Sequence, residues 1–417
     1  MYRFLVVIIL SLSLQAQGQD LIRDYVKSNA VRLASISPDS TDYADLEPIG
    51  LAIGDARVVM LGEQDHGDAP SFSAKTRLIK YLHEKKGFNV LAFESDFFGL
   101  NYSQYASNPD SFFKKNISPI WTYCKTCNPL FQQYLPATRQ TPNPVLLSGF
   151  DCQLGLTYLL PLLDSVMRRQ QLPLTRLPEY DSLWLPLLKK GALTITDTAL
   201  NHQYLALLAN IKEQLLQKNP PGDFWCMVVD NLVQLKTEFI YMFTDAKNFA
   251  VGRNTRDSQM ALNLQWICEK KYPSEKIIVW AHNDHVSKYG GHYKEYYKNT
   301  ATSMGTRFTN DSTRQRQTYI IGFSSYEGTA GRLSTTPKIY TFSKPPANSF
   351  ENWMDNAWEY AFTDFRHFTA AHPDNHEPFS MTGGSNNNRY HESFKAEWNR
   401  IFDGVIYIKK MYSCIGL

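Results

Sequence analysis

The chain has 417 residues, a hydrophobic fraction of 43% and a charged fraction of 20%, which is typical of an ordinary globular protein with a large core. A formal net charge of +3 gives no strong basic field, so we expect no nucleic-acid partner. Six cysteines are too few for a disulfide scaffold in a chain of this length.

The N-terminal segment MYRFLVVIILSLSLQAQGQD has the features of a secretory signal. An early arginine precedes the apolar residues 4–14, and Ala16 and Gly18 fit a small-x-small cleavage site. We therefore predict a signal peptide over residues 1–18 and an exported protein, periplasmic or secreted. The apolar segment is short for a membrane span, so an uncleaved anchor is the alternative, and no later segment predicts a transmembrane helix.

Short apolar runs rich in β-branched residues predict buried strands. They are residues 57–61, 89–94, 144–150, 276–281, 318–325 and 404–409. Between the first two runs, Phe72, Leu78 and Leu82 lie on one face of a predicted helix that stops at Gly87. A strand, a helix and a strand within about 35 residues predict a βαβ unit and a parallel sheet.

The middle of the chain, from about residue 156 to 268, has long segments of helical periodicity and no strand pattern. We interpret it as a helical insertion that folds against the sheet. The sequence therefore predicts an α/β fold with a mostly parallel central sheet flanked by helices. Residues 19–417 form one domain in this interpretation.

Four of the predicted strands end in titratable side chains. The residues are Glu63 and His66 after the first strand, Glu94 and Asp96 after the second, Asp151 after the third, and His282, Asp284 and His285 after the fourth. Ligands of open parallel sheets bind at the carboxyl ends of the strands. We therefore expect these groups to converge on one cleft, as the parts of a catalytic site do.

Each of these residues also has a structural interpretation when it is taken alone. Glu63 suits a helix start, and His66 suits a turn. Glu94 suits a carboxylate that binds backbone amides, and His282 suits a satisfied core histidine. Asp96 and Asp151 suit orienting roles better than catalysis. The set as a whole favours a site over unrelated caps.

Three hydrolytic chemistries are candidates for this set of residues. In the first, a histidine activates water with the help of a carboxylate. In the second, Glu63, His66, His282 and His285 bind a divalent ion. The third, attack by a serine, lacks a G-x-S-x-G elbow, because Ser148 lies within a strand. Walker and G-x-G-x-x-G motifs are absent from the sequence, so a nucleotide is not predicted.

Cys124 and Cys127 have C-x-x-C spacing without a second such pair. In an exported protein this favours a local disulfide or two inert thiols over a redox centre or half of a zinc site.

Six motifs in one order resemble the erythromycin esterase family. They are LGEQDHGD, NVLAFESDFFGLN, GFDCQ, RNTRDSQMALNLQWI, VWAHNDHVSK and TSMGTRF…YIIGFSSYEG, from about Val58 to Gly328. The last stretch of about 90 residues matches less clearly, as expected of a variable region. The resemblance implies a sheet with surrounding helices and the hydrolysis of an ester, which in the type members is a macrolactone.

The resemblance also implies roles for individual residues. His66 corresponds to the general base and Glu63 to its acidic partner. Glu94, His282 and His285 complete the catalytic set. The resemblance implies no metal and no other cofactor, although a divalent metal stays open because more distant folds with a similar motif bind one.

The chain departs from the family pattern at two positions. Pro70 stands where the family has an acidic residue, and Lys75 stands where it has an arginine, so the charge is kept but the bidentate fork is lost. We assign Lys75, Asp96 and Asp151 to substrate binding or orientation.

We predict a hydrolase for a small-molecule carboxylic ester or lactone. The alternatives are a metal-dependent hydrolase on the same cleft and an inactive, ligand-binding relative.

Overall fold

The computed structural model describes residues 20–102, 115–244, 249–288, 302–333, 338–383 and 391–416. The predicted signal peptide lies outside the described residues. The strands are β1 (Val31–Arg32), β2 (Val58–Leu61), β3 (Phe88–Asp96), β4 (Leu146–Asp151), β5 (Lys276–Trp280), β6 (Thr318–Ala330), β7 (Tyr340–Thr341), β8 (Tyr360–Asp364), β9 (Phe379–Met381), β10 (Phe394–Ala396) and β11 (Gly404–Met411).

The main sheet has the strand order β1-β8-β11-β6-β2-β5-β3-β4, and β7 pairs with β6. The run from β11 to β4 is parallel throughout. Strands β1, β7 and β8 pair antiparallel, and β9 and β10 form a separate small ladder. The predicted α/β fold with a mostly parallel sheet is confirmed. All six predicted strands are present, whereas the sequence did not predict β1, β7, β8, β9 or β10.

Helices surround this sheet. They are α1 (20–29), α2 (Glu47–Ile53), α3 (Ala69–Lys86), α4 (Phe97–Tyr102), α5 (Pro119–Thr122), α6 (Leu135–Thr138), α7 (Leu156–Arg169), α8 (Leu185–Thr194), α9 (Thr198–Lys218), α10 (Phe224–Thr244), α11 (Phe249–Trp266), α12 (Asn283–Val286), α13 (Met304–Phe308), α14 (Ser312–Arg316), α15 (Phe365–Ala371) and α16 (Trp398–Ile401). Within the part of the chain that the structure describes, none of them is long and apolar enough to cross a membrane.

Helix α3 connects β2 to β3, as the βαβ pattern predicts. Its Pro70 lies in the first turn, where a missing N–H breaks no helical hydrogen bond. It ends at Gly87, whose φ of 73° is left-handed and favours glycine. Strands β2 and β3 are parallel but not neighbours, because β5 lies between them.

Side chains of the central strands alternate between two hydrophobic clusters, one on each face of the sheet, as the twofold repeat of a strand requires. Val59, Leu61, Leu91, Phe93, Ile278 and Trp280 lie in one cluster, and Val58, Met60, Val90, Ala92, Ile277 and Val279 lie in the other. Burial on both faces explains why these runs are continuously apolar. The sheet is thus a rigid base for the loops at its carboxyl edge.

The described residues from 156 to 271 are helical or lie in the turns between helices, in the range where the sequence predicts a helical insertion. A third hydrophobic cluster joins α7 to α10 with Phe97 and Phe98, which directly follow β3. The insertion therefore packs beside the carboxyl end of the sheet.

A disulfide joins Cys124 to Cys414, at a sequence separation of 290. Cys127 is a buried free thiol. Of the two interpretations of this pair, the local disulfide is therefore wrong, and the inert thiol holds for Cys127 but not for Cys124. The partner of Cys124 comes from the C-terminal tail, which the fold brings close by placing β11 in the sheet.

Candidate active site

Four neighbouring strands, β2, β5, β3 and β4, end at one edge of the sheet. Polar residues that follow β2, β3 and β4 line a cavity of about 540 Å³, whose lining includes His66, Glu94, Asp96, Asp151 and Arg256; His282 and His285, after β5, lie behind this lining. The convergence expected from the sequence therefore has a structural basis, because parallel neighbours bring their carboxyl ends together.

The turn after β2 depends on a glycine. A Cβ atom at Gly62 would lie 2.0 Å from the side-chain oxygen of Asn283. The absence of a side chain lets the loop after β5 pack directly on the loop after β2. Glu63 and His66 are thereby held next to His282 and His285.

Glu63 is fully buried and binds His66. Nδ1 of His66 lies 2.8 Å from Oε1 of Glu63, so Nδ1 carries the proton and donates it to the carboxylate. Nε2 of His66 is then left with its lone pair, and His66 lines the cavity. This is the arrangement that a general base requires.

Two further groups hold Glu63 in place. Lys75, also fully buried, donates from Nζ to Oε2 of Glu63 at 2.6 Å, and the indole N–H of Trp121 donates to Oε1 at 3.1 Å. Burial alone would raise the pKa of Glu63, but the charge of Lys75 and the hydrogen bonds from His66 and Lys75 outweigh burial and hold that pKa below its ordinary value. Lys75 therefore orients the partner of His66 and does not itself line the cavity.

Glu94 lies on the other side of the cavity. Its Oε1 accepts hydrogen bonds from Arg256 at 3.0 Å and from Nε2 of His285 at 3.2 Å. Its Oε2 accepts one from the backbone N–H of His282 at 2.9 Å. Burial opposes ionisation, but the cations of His285 and Arg256 place the pKa of Glu94 well below its ordinary value.

His285 is held between two carboxylates. Its Nδ1 donates to Asp257 at 2.8 Å, and its Nε2 faces Glu94. Burial alone would lower the pKa of His285, but Asp257 and Glu94 raise it to about 10. At neutral pH this residue is an imidazolium, which excludes it as a base and makes it a source of positive charge beside Glu94.

His66 and Glu94 face each other across a short gap. Nε2 of His66 lies 4.0 Å from Oε1 of Glu94. Two acceptors at this separation can share one water molecule at ordinary hydrogen-bond distances of about 2.8 Å. The gap is therefore a place for the water that the base would activate.

His282 has no ring nitrogen left for a substrate. Its Nε2 donates to the carbonyl of Gln64 at 2.6 Å, and its Nδ1 accepts from the backbone N–H of Asp284 at 3.0 Å. Burial lowers its pKa to about 4, so it is neutral. Its ring packs edge-on against His66 at 5.2 Å. The contacts assign His282 to positioning, in contrast to the catalytic role predicted from the sequence.

The two aspartates bind protein groups. Asp96 accepts hydrogen bonds from the backbone N–H groups of Gly99 and Gly155, and burial raises its pKa to about 6. Asp151 accepts two bonds from Arg256, at 3.0 and 2.6 Å. Asp151 thus orients the guanidinium group, while Asp96 closes a turn at the cavity wall.

The arrangement of the carboxylates bears on the metal-dependent alternative, which stays a prediction. Among the residues that the structure describes, no group of three or more His, Cys, Asp or Glu side chains is arranged to hold a metal ion. The guanidinium of Arg256 occupies the place between Glu94 and Asp151 where a cation would bind these carboxylates.

Three residues of this site were not predicted from the sequence. Trp121 lies in α5, and Arg256 and Asp257 lie in α11, away from any predicted strand end. The segment RNTRDSQMALNLQWI contained a signal, since an arginine and an aspartate stand side by side in a helix that is otherwise partly apolar. Their partners were not visible because they lie on other elements.

The erythromycin esterase family profile matches residues 83–411. The match begins after Glu63 and His66, and it includes most of the C-terminal region that the sequence motifs predicted to match less clearly. YbfO of Bacillus subtilis, which is named as a hydrolase, is 28% identical over 355 residues, covering 78% of this chain and 77% of YbfO.

Solved structures have the same fold. A Bacillus cereus protein superposes with a TM-score of 0.72 at 21% identity, covering 95% of this chain and 98% of that protein. A mutant of the erythromycin esterase EreC, in its open conformation, superposes with a TM-score of 0.65 at 17% identity, covering 92% of this chain and 98% of EreC.

Proposed function

This chain belongs to the erythromycin esterase family, and from that premise we propose that it is an exported hydrolase that cleaves a carboxylic ester or lactone with water activated by His66. One observation supports this proposal most directly. Lys75, Glu63 and His66 form a hydrogen-bonded series that leaves Nε2 of His66 on the cavity side, 4.0 Å from Glu94. A fixed tautomer next to a water-sized gap is what general-base catalysis needs.

In the proposed reaction, Nε2 of His66 takes a proton from water while the water oxygen attacks the acyl carbon. Negative charge then develops on the carbonyl oxygen, and the cations of Arg256 and His285 lower the energy of that state. As the carbonyl re-forms and the ester bond breaks, His66 gives the proton that it took from water to the leaving alcohol, which returns the site to its initial state. Glu63 and Glu94 keep their charges throughout.

The cavity wall supports a substrate with polar groups. Besides the charged residues, amide and hydroxyl side chains such as Asn116, Ser118 and Gln153 line it, together with the apolar Ile117 and Leu154. We therefore propose a small oxygen-rich ester or lactone as substrate. A macrolide-like lactone belongs to this class.

Export rests on two independent features. The N-terminal sequence has the pattern of a signal peptide. The Cys124–Cys414 disulfide is of the kind that persists in oxidising compartments. We propose a periplasmic or secreted location. Fractionation of cells that express the full chain tests it, and recovery of uncleaved protein from the cytoplasm would contradict it.

A substrate panel tests the reaction. Purified wild-type protein and His66→Ala are assayed on aryl esters, sugar esters, simple lactones and a macrolide, each with and without a chelator. We expect hydrolysis by the wild type that the chelator does not change and that His66→Ala lacks. Activity that is lost with the chelator and restored by zinc or manganese would favour the metal-dependent alternative. Tight binding without turnover would favour the inactive relative.

A further inference from the structure

The C-terminal tail, residues 412–416, lies against the loop that carries His66. The backbone N–H of Ala69 donates to the carbonyl of Tyr412 at 3.1 Å, and the N–H of Cys414 donates to the carbonyl of Gly67 at 2.7 Å. Ser413 forms an antiparallel bridge with Asp68. The three residues after His66 are therefore paired with the tail as if with a short strand.

The other side of the tail lies against the segment that carries Trp121. The N–H of Lys125 donates to the carbonyl of Ile415 at 2.9 Å, and Cys124 forms an antiparallel bridge with Gly416. The disulfide from Cys124 to Cys414 closes this side covalently. The tail is thus held between two segments that are far apart in sequence.

Both segments act on the same carboxylate. Trp121 donates its indole N–H to Oε1 of Glu63, the oxygen that also accepts from His66. The N–H of Cys124 in turn donates to the carbonyl of Trp121 at 3.1 Å. A displacement of the Cys124 segment would therefore move a donor of Glu63, and a displacement of the tail would release the loop after His66.

We propose that the Cys124–Cys414 disulfide and the tail are a positioning element of the active site, fixing the His66 loop and Trp121 relative to each other. This inference rests on the proposed function of His66 as a base. Because a displacement of about 1 Å in a catalytic group costs up to 100-fold in rate, removal of the disulfide lowers kcat and leaves KM nearly unchanged. The oxidised protein is the active form.

The test compares Cys124→Ser/Cys414→Ser with the wild type and with Cys226→Ser. Cys226 is a buried free thiol in α10, inside the helical region, and serves as the matched control. Two quantities are measured: kcat and KM on the best ester of the panel, and hydrogen exchange of peptides that cover residues 63–72 and 198–244. We expect kcat to fall by about 10- to 100-fold in the double variant, with faster exchange in 63–72 alone.

Reduction of the disulfide in the folded wild-type protein is a second way to remove the cross-link. A dithiol transfers two electrons and two protons to the disulfide, which yields the thiols of Cys124 and Cys414, while the dithiol becomes a cyclic disulfide. Alkylation and mass measurement count the thiols released. Reduced wild type is expected to show the exchange pattern and the lower kcat of the double variant.

The outcomes separate this inference from the proposed function. Unchanged exchange in 63–72, an unchanged kcat, or loss of protection throughout the chain would each overturn the positioning role. If the wild type hydrolyses no ester but exchange in 63–72 still rises on loss of the disulfide, the proposed function fails while the positioning element stands.

Discussion

Two parts of the active site, here called the His66 corner and the His285 corner, differ in how their charges balance. At one corner, His66 binds Glu63, and the buried ammonium of Lys75 already pairs with that carboxylate at 2.6 Å. At the other, His285 lies between Asp257 and Glu94; Arg256 pairs with Glu94, and the charge of His285 balances Asp257. The balancing cation is therefore a lysine at the His66 corner and the histidine itself at the His285 corner.

This difference assigns the roles. Two carboxylates raise the pKa of His285 to about 10, so it is protonated at neutral pH. Lys75 already pairs with Glu63 at the first corner, so the proposed base, His66, does not have to supply the charge that balances this carboxylate. In the proposed reaction, histidine–carboxylate pairs of similar geometry therefore serve as base and as fixed cation, according to the charges that lie beside them.

The largest expected effect comes from removing the cation of the His66 corner. Lys75→Met leaves Glu63 buried without its ammonium partner, so we expect the free energy of unfolding to fall by about 3–5 kcal/mol. Urea denaturation measures it. Lys80→Met is the control, because Lys80 lies in the same helix, is partly exposed and donates to the backbone carbonyl of Pro38 rather than to a buried carboxylate.

A double variant separates stability from catalysis at this corner. Glu63→Gln/Lys75→Met removes both buried charges, so most of the lost stability returns, while His66 loses its charged partner and activity stays low. Recovery of activity together with stability would show that the charge of Glu63 has no part in the reaction.

At the His285 corner, Arg256→Lys keeps the charge but loses the fork that reaches Asp151 and Glu94 together. We expect kcat/KM to fall by about 10- to 100-fold. Arg253→Lys, one turn earlier in α11 and paired with Asp284, is the control and stays near the wild type. Equal losses in both variants would contradict a specific role for Arg256.

The pH dependence of the reaction tests the charge of His285. Its folded pKa of about 10 lies above the ordinary value of about 6.5. In the folded protein the charged form of His285 therefore predominates at neutral pH and is lost as the pH rises through about 10. We expect kcat/KM to decline on the alkaline side with an apparent pKa near 10, and His285→Gln to lack this decline. An unchanged profile in that variant would exclude His285 as its source.

The smallest catalytic effect is expected at His282. Asn in its place keeps an acceptor for the N–H of Asp284 but loses the hydrogen bond to Gln64. His282→Asn should lower the free energy of unfolding by about 1–2 kcal/mol and kcat by less than about tenfold. A loss as large as that of a general base would return His282 to the catalytic set.

Local patterns in the sequence predicted the strands and the edge at which the polar residues meet. Apolar runs that end in Glu63, Glu94 and His282 mark strand ends, and parallel pairing then brings these ends together. The strand β8, Tyr360–Asp364, was missed because its sequence, YAFTD, lacks the run of Val, Ile and Leu that marks the predicted strands.

The sequence did not predict which side chains meet. Arg256, Asp257 and Trp121 come from helices, and their partners are separated from them by many residues and set by the packing of α5 and α11 on the sheet. The same limit explains the wrong local disulfide, since Cys124 pairs across 290 residues. Tertiary pairing of this kind leaves no local signal that identifies the partner of a residue.

The kcat of folded His66→Ala on the best ester, compared with folded His282→Asn, tests the central claim most directly. Loss of the base should lower kcat by about 10²- to 10⁴-fold in His66→Ala, while His282→Asn loses less than about tenfold and both variants keep the circular dichroism spectrum of the wild type. Wild-type turnover by a folded His66→Ala protein would contradict the account.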